Sequence, residues 1–203
     1  AGRAGSPPRA GGLLAPAARA HRRLRAGRGS DDARAGGISA SFVERKGEMV
    51  LKRPRGEVTL KARADRIDRL GDGTLAILDY KTGSLPKEAS LRDGVAPQLP
   101  LEAAMAAEGV FEKVPDGTVR SLGYWRLTGG QEPGSVKAMV SEPEEVAEIA
   151  AEALDRLGEL VDRFLLGDAA FPARPHPARA PKGADFDHLA RIAEWANAED
   201  EAE

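Results

Sequence analysis

Four consecutive apolar residues, Leu75-Ala76-Ile77-Leu78, run without a break into Asp79-Tyr80-Lys81-Thr82-Gly83. Side chains of a β-strand alternate between the two faces of a sheet, so an unbroken apolar run needs cover on both faces. Residues 74–81 are therefore predicted to form a central strand, with Asp79 and Lys81 at the point where it leaves the core. A strong turn signal, Gly71-Asp72-Gly73, precedes it. Before that turn, Val58, Leu60, Ala62 and Ala64 share one face at period two, which predicts a strand over residues 58–67. The strand carrying Asp65 and the strand carrying Asp79 are thus expected to be joined as a hairpin.

The remaining pattern supplies the other elements. Residues 42–45 and 48–52 read as two strands around a Lys46-Gly47 turn. Residues 97–108 read as a helix, residues 118–127 as a strand containing Tyr124 and Trp125, and residues 135–140 as a further strand. Ser141 and Glu144 have capping-box spacing. The helix they open is expected to reach about residue 166, with Val146, Ile149, Ala153, Leu157, Leu160 and Phe164 at helical spacing. The order predicts an α/β fold of the α+β type, a mixed central sheet flanked by helices, without regular βαβ alternation. No phosphate loop, dinucleotide fingerprint, hydrolase elbow or HExxH motif is present.

Three regions are expected. Residues 1–40 contain eight Gly, three Pro and eight Arg with little apolar bulk, and should be a disordered extension. Residues 41–170 form the core domain. Residues 171–203 comprise a segment rich in Pro, a short helix over 187–195 held by Phe186, Leu189, Ile192 and Trp195, and an acidic tail. The 203 residues include no cysteine, which excludes disulfides, cysteine-ligated zinc, an iron–sulfur cluster and a thiol nucleophile. The histidines, His21, His176 and His188, are scattered. Any metal would therefore be held by carboxylates, favouring Mg²⁺, Mn²⁺ or Ca²⁺. Net charge is −2 overall and +6 within residues 1–40, leaving −8 on the rest, so no broad basic footprint for nucleic acid exists. No apolar run is long enough to span a membrane and no secretory signal is evident; a cytoplasmic location is expected.

Asp79 and Lys81 are two apart on a strand and leave from the same face, while Tyr80 leaves from the other. Pairing across the hairpin can bring Asp65 near Asp79. Two adjacent carboxylates repel and raise each other's pKa unless a divalent cation neutralises both. Lys81 would then lie close to a water on that ion, where it can orient the water and stabilise charge developing on a phosphate. Such a site suits phosphodiester hydrolysis. On spacing alone a bland alternative stands: Asp65 and Asp68 as exposed strand-end charges paired with Arg63, Arg66 or Arg69, and Asp79–Lys81 as a surface ion pair worth about 0–1 kcal/mol.

Taken together, Ala62-Arg63-Ala64-Asp65-Arg66-Ile67-Asp68, Ile77-Leu78-Asp79-Tyr80-Lys81-Thr82-Gly83 and Pro97-Gln98-Leu99-Pro100-Leu101 resemble the PD-(D/E)XK nuclease superfamily in its RecB-like branch. Phe186-Asp187-His188-Leu189-Ala190-Arg191-Ile192-Ala193-Glu194-Trp195 resembles the ending of alphaproteobacterial AddB chains, subunits of the AddAB helicase–nuclease, within which this sequence would be a fragment. The resemblance covers about residues 41–196. It implies a restriction-endonuclease-like core and Mg²⁺-dependent DNA cleavage (Mn²⁺ as a substitute) in double-strand break repair and recombination. It also implies DNA and an AddA-type subunit as partners. It implies Asp65, Asp79 and the Tyr80 main-chain carbonyl as metal ligands, Lys81 as the catalytic lysine, and Gln98 as an orienting residue of the site. The family's glutamine motif continues to a tyrosine where this chain has Glu102, which shares a helix face with Gln98 and is expected to be solvated. The upstream histidine that completes the family's metal shell has no clear counterpart: His21 lies in Arg-rich surroundings, and Glu44 is the alternative. Arg63, Arg66, Arg69 and Lys87 are candidates for gripping DNA. The competing reading is a catalytically inactive nuclease-fold module that holds DNA or docks a subunit.

Overall fold

The computed structural model describes residues 37–128, 134–172 and 188–189. Their elements are β1 (Ile38–Arg53), β2 (Gly56–Leu70), β3 (Leu75–Lys81), α1 (Glu88–Arg92), α2 (Gln98–Ala107), β4 (Val119–Arg126), β5 (Ser135–Val140) and α3 (Pro143–Leu160). A π-helical turn, Val161–Leu165, follows α3. The strands form one five-stranded sheet in the order β1-β2-β3-β4-β5. All neighbours are antiparallel except β3 and β4, which are parallel. A parallel pair cannot be closed by a tight turn; here the connection carries α1 and α2. The mixed sheet with flanking helices is the architecture expected from the sequence.

β3 is the middle strand, and Leu75, Ala76, Ile77, Leu78 and Asp79 are all buried. Ile77 packs in the main core with Leu99, Ala103 and Met105 of α2, Leu122 and Tyr124 of β4, and Val146 and Ile149 of α3. Ala76 joins Leu70 and Ile38 in a smaller cluster, so both faces are covered.

Four expectations are corrected. Residues 42–52 are not two strands around a turn but part of the 16-residue β1, which begins at Ile38, ahead of the expected boundary at Ser41. Gly47 lies mid-strand, where a Cβ would stand 2.8 Å from Phe111 Cδ1. It bridges to Phe111, and the Glu112 amide donates to the Lys46 carbonyl at 2.9 Å. The glycine thus serves close approach rather than chain reversal. The capping box is not made: Pro143 takes the first position of α3 and Glu142 is the N-cap, without a side-chain hydrogen bond. A proline suits that first position because its missing N–H would be unpaired there anyway. Leu160 is 54 % exposed, and Val161, four residues after Leu157, fills the buried position instead. Leu189, expected to anchor the end of the chain, is 70 % exposed. Phe186, Ile192, Trp195, the extension over residues 1–36, and most of the segment rich in Pro lie outside the described residues.

The β1–β2 hairpin changes its inner face partway along. Phe42 and Ile67 pair and face the core, as do Met49 and Leu60, whose positions have the opposite parity. The switch falls between the Val43–Arg66 and Arg45–Ala64 pairs, at Glu44, whose φ is +54°. Asp65 lies on the opposite strand at this same point.

Candidate active site

Asp65 stands where the β2–β3 ladder stops. The last paired residues are Arg66 and Leu78, and the next amide of β3 on that side, Tyr80 N–H, donates to Asp65 Oδ2 at 2.9 Å. A side-chain carboxylate thus replaces the missing strand partner and is fixed beside Asp79. Asp79 itself is 2 % exposed. It ends the apolar run of β3, where α2 of the crossover passes over the sheet.

That helix supplies the next residues. Pro97 is the N-cap of α2, and the Leu101 amide donates to its carbonyl at 3.0 Å. Pro100 sits in the first turn, where its missing N–H costs no helix bond. Leu99, Ala103 and Met105 press α2 onto the core. The first helical residue, Gln98, therefore comes to rest over the end of β3, with Glu102 one turn further on the same face.

Gln98 Nε2 donates to Asp79 Oδ1 at 2.7 Å and to Glu102 Oε1 at 3.2 Å. Its carbonyl Oε1 accepts from Lys81 Nζ at 3.3 Å. Lys81 Nζ also lies 2.7 Å from Asp79 Oδ2 and 5.9 Å from the centre of the Tyr124 ring. The amide is oriented by charge at both ends, with its N–H groups on two carboxylates and its oxygen on an ammonium. Asp65, Asp79, Lys81 and Gln98 are thus gathered at one end of the sheet.

Glu102 contradicts its expected solvation: it is 3 % exposed. Burial is the main force that raises its pKa from 4.5 to about 7. The Gln98 bond opposes that shift, Asp79 and Asp65 add to it, and Lys81 opposes it. The same environment raises Tyr124 to about 12, first through burial and then through the charges of Asp79 and Glu102. Nothing in the i, i+4 spacing of Gln98 and Glu102 distinguishes a solvated face from one pressed against β3. The signal that could have shown it is the apolar crowding of residues 99–106, which leaves α2 little free surface.

Glu102 Oε2 is buried without a hydrogen-bond partner, and Asp79 Oδ2 is buried with the Lys81 ammonium 2.7 Å away. Carboxylate oxygens in a partly dehydrated site fit a hard divalent cation, which prefers oxygen donors. Among the described residues, no three Asp, Glu or His side chains are already grouped as a metal cage.

Tyr80 leaves from the opposite face, as expected. Its ring lies 5.5 Å from that of Trp125, and Arg66 stands 5.4 Å over Trp125. Asp68 also belongs to that face. It is fully buried, 2.8 Å from Arg66 Nε, and accepts from Ser41 Oγ at 2.6 Å. The pairing of Asp68 with Arg66 was one of the bland alternatives, but the pair is buried rather than exposed. Arg66 is consequently no candidate for gripping DNA. Glu44 pairs with Arg63 and is more than half exposed. Arg69 and Lys87 are exposed, and His21 lies outside the described residues.

Comparison with other proteins finds partial matches to uncharacterized proteins and to a solved structure. One relative is an uncharacterized protein of Rickettsia felis (strain ATCC VR-1525 / URRWXCal2), 33 % identical over 93 residues that make up 45 % of this chain and 11 % of that protein. Another is the uncharacterized protein RC0550 of Rickettsia conorii (strain ATCC VR-613 / Malish 7), 36 % identical over 72 residues, 36 % of this chain and 9 % of that one. The match thus spans about a tenth of the length of either relative. Among solved structures, SSO0001 aligns with a TM-score of 0.34 at 12 % identity, covering 57 % of this chain and 50 % of that one. The profile of the PD-(D/E)XK nuclease superfamily matches residues 5–180, a span that contains every element of the sheet and both helices that cover it. With acids on β2 and β3, a lysine two residues beyond the second acid and a glutamine at the head of α2, the chain belongs to the PD-(D/E)XK nuclease superfamily.

Proposed function

We propose that this domain is a metal-dependent deoxyribonuclease, and that it processes DNA during double-strand break repair and recombination as the nuclease part of an AddB-like subunit. An AddA-type helicase–nuclease subunit is the partner this reading requires. The observation that carries the catalytic part is the meeting of Asp65, Asp79, Lys81 and Gln98 at the end of β3. The repair assignment rests on the RecB-like motif order and the AddB-like ending of the sequence.

Asp65, Asp79 and the main-chain carbonyl of Tyr80 would hold the cation. When bound, a divalent ion supplies Lewis acidity toward a phosphate oxygen and lowers the pKa of water. The chain's own residues do the rest. The Lys81 ammonium orients the attacking water and offsets negative charge that builds on the phosphate, in a site where low dielectric strengthens that interaction. Gln98 holds Asp79 and Lys81 in fixed relation. The Tyr80 amide fixes the Asp65 carboxylate, so the acid does not have to be ordered when substrate arrives.

The test is cleavage of linear single-stranded DNA by the full chain in Mg²⁺ and in Mn²⁺. Asp79→Asn and Lys81→Ala should each lower the rate by about 100-fold or more, on the scale of removing a charge-stabilising group from an active site. Variants that fold and cleave as the parent does would reject the assignment. A parent that binds Mn²⁺ through Asp65 and Asp79 yet cuts nothing would favour the inactive DNA-holding module.

A further inference from the structure

In the proposed reaction one buried acid of the site, Glu102, neither holds the cation nor orients the water. We propose that Glu102 is a positioning residue: it fixes the rotational state of the Gln98 amide, and so the placement of Asp79 and Lys81. This inference rests on the nuclease reading above.

An amide group offers two N–H donors and one carbonyl oxygen. In this site Gln98 Nε2 serves Asp79 at 2.7 Å and Glu102 at 3.2 Å, and its Oε1 serves Lys81 at 3.3 Å. The bond to Asp79 alone leaves the second N–H free, and the amide can swing about its terminal torsion, which is broad and weakly restrained. The bond to Glu102 removes that freedom. It adds to the direction that Asp79 and Lys81 set, because a flip would turn the carbonyl oxygen onto the Asp79 carboxylate and an N–H toward the Lys81 ammonium. Glu102 is well placed for this. It lies one helical turn from Gln98 and is almost wholly buried, and its other oxygen, Oε2, has no hydrogen-bond partner that would draw it elsewhere. A buried carboxylate is costly to keep beside Asp65 and Asp79. A residue with only a packing task at this position would be apolar, like its neighbours Ala103 and Ala104, which are buried in the same core.

The test compares the full chain with Gln98→Ala, Glu102→Leu, Glu102→Gln and the double variant Gln98→Ala/Glu102→Leu. Two quantities are measured: cleavage of linear DNA in Mg²⁺, and the Gln98 side-chain amide resonances. Glu102→Leu should lower kcat about tenfold, the scale of one hydrogen bond to a charged group, with KM for DNA little changed. Glu102→Gln keeps an oxygen acceptor and should stay within about threefold of the parent. In the Gln98→Ala background, Glu102→Leu should cost nothing further, because the effect passes through Gln98. Independent, multiplying losses, or a Glu102→Gln variant as poor as Glu102→Leu, would overturn the proposal. A parent chain without cleavage would end the nuclease reading, and the amide signals would then decide this inference alone. If the two Gln98 protons move together in Glu102→Leu, the clamp stands; if they keep their positions, it falls.

Discussion

A carboxyl group held where two others already stand must weigh ionisation against burial, and Glu102 is the residue at which that balance is drawn. Its pKa is raised from 4.5 to about 7, mainly by desolvation. In the unfolded chain the group ionises near 4.5, while in the folded protein it keeps its proton to about 7. Between those values the folded state binds more protons than the unfolded one, so stability falls as pH rises through that window and is constant above it. The shift corresponds to about 3 kcal/mol by pH 8. Glu102→Gln removes the titration. In EDTA, urea denaturation of the variant should show a much shallower loss between pH 5 and pH 8, and the variant should be the more stable of the two at pH 8. Identical pH dependence in the two proteins would mean that Glu102 ionises freely.

At the scale of elements, local signals were legible and distant ones were not. The apolar run of β3, the alternation of β2 and the boundaries of β5 are properties of neighbouring residues; β5 and β3 formed where the sequence placed them to within a residue, while β2 runs over Gly56–Leu70, beyond the expected 58–67. The hairpin that brings Asp65 to Asp79 followed from the Gly71-Asp72-Gly73 turn, where Gly73 takes a φ of +88° and the Thr74 amide donates to Asp72 Oδ1 at 2.9 Å. Lys46-Gly47 misled because the same glycine that suits a turn also suits a crowded strand. The crowding comes from Phe111, more than sixty residues away. Ser141 misled because Pro143 outcompetes the capping box for the start of α3. Glu102 misled because a polar i, i+4 pair gives no sign of what the helix is pressed against. The Gly47 contact carries its own prediction. Gly47→Ala puts a methyl 2.8 Å from Phe111 Cδ1, and overpacking of this kind costs about 1–3 kcal/mol. The midpoint of urea unfolding should fall accordingly, and Phe111→Leu should relieve part of the strain when combined with it. A neutral Gly47→Ala would show that β1 and Phe111 separate freely.

Over the whole molecule, the sheet and the crossover bring Asp65, Asp79 and Glu102 to one end of β3 near Lys81, in a chain whose residues beyond position 40 carry a net −8. Such a cluster is a place where folding and ligand binding compete, since the arrangement that suits a cation is strained without one. No helix among the described residues is long and apolar enough to cross a membrane. If the cation is held by Asp65 and Asp79, it binds the folded chain and not the unfolded one, and the gain follows from mass action. At about 100 times the dissociation constant, the stabilisation is about 2.7 kcal/mol. In a protein of this size each kcal/mol moves Tm by about 2–4 °C. Saturating Mn²⁺ should therefore raise the Tm of the parent by roughly 5–10 °C over its value in EDTA. Asp65→Asn and Asp79→Asn should each abolish most of that rise. Lys81→Ala, which removes a positive charge from the site, should keep or enlarge it. The ordering of the variants decides the matter, because nonspecific screening by salt would shift all of them alike. An equal rise in parent and Asp variants would place the ion elsewhere on the acidic surface and remove the physical reason for the two aspartates to share one end of the sheet.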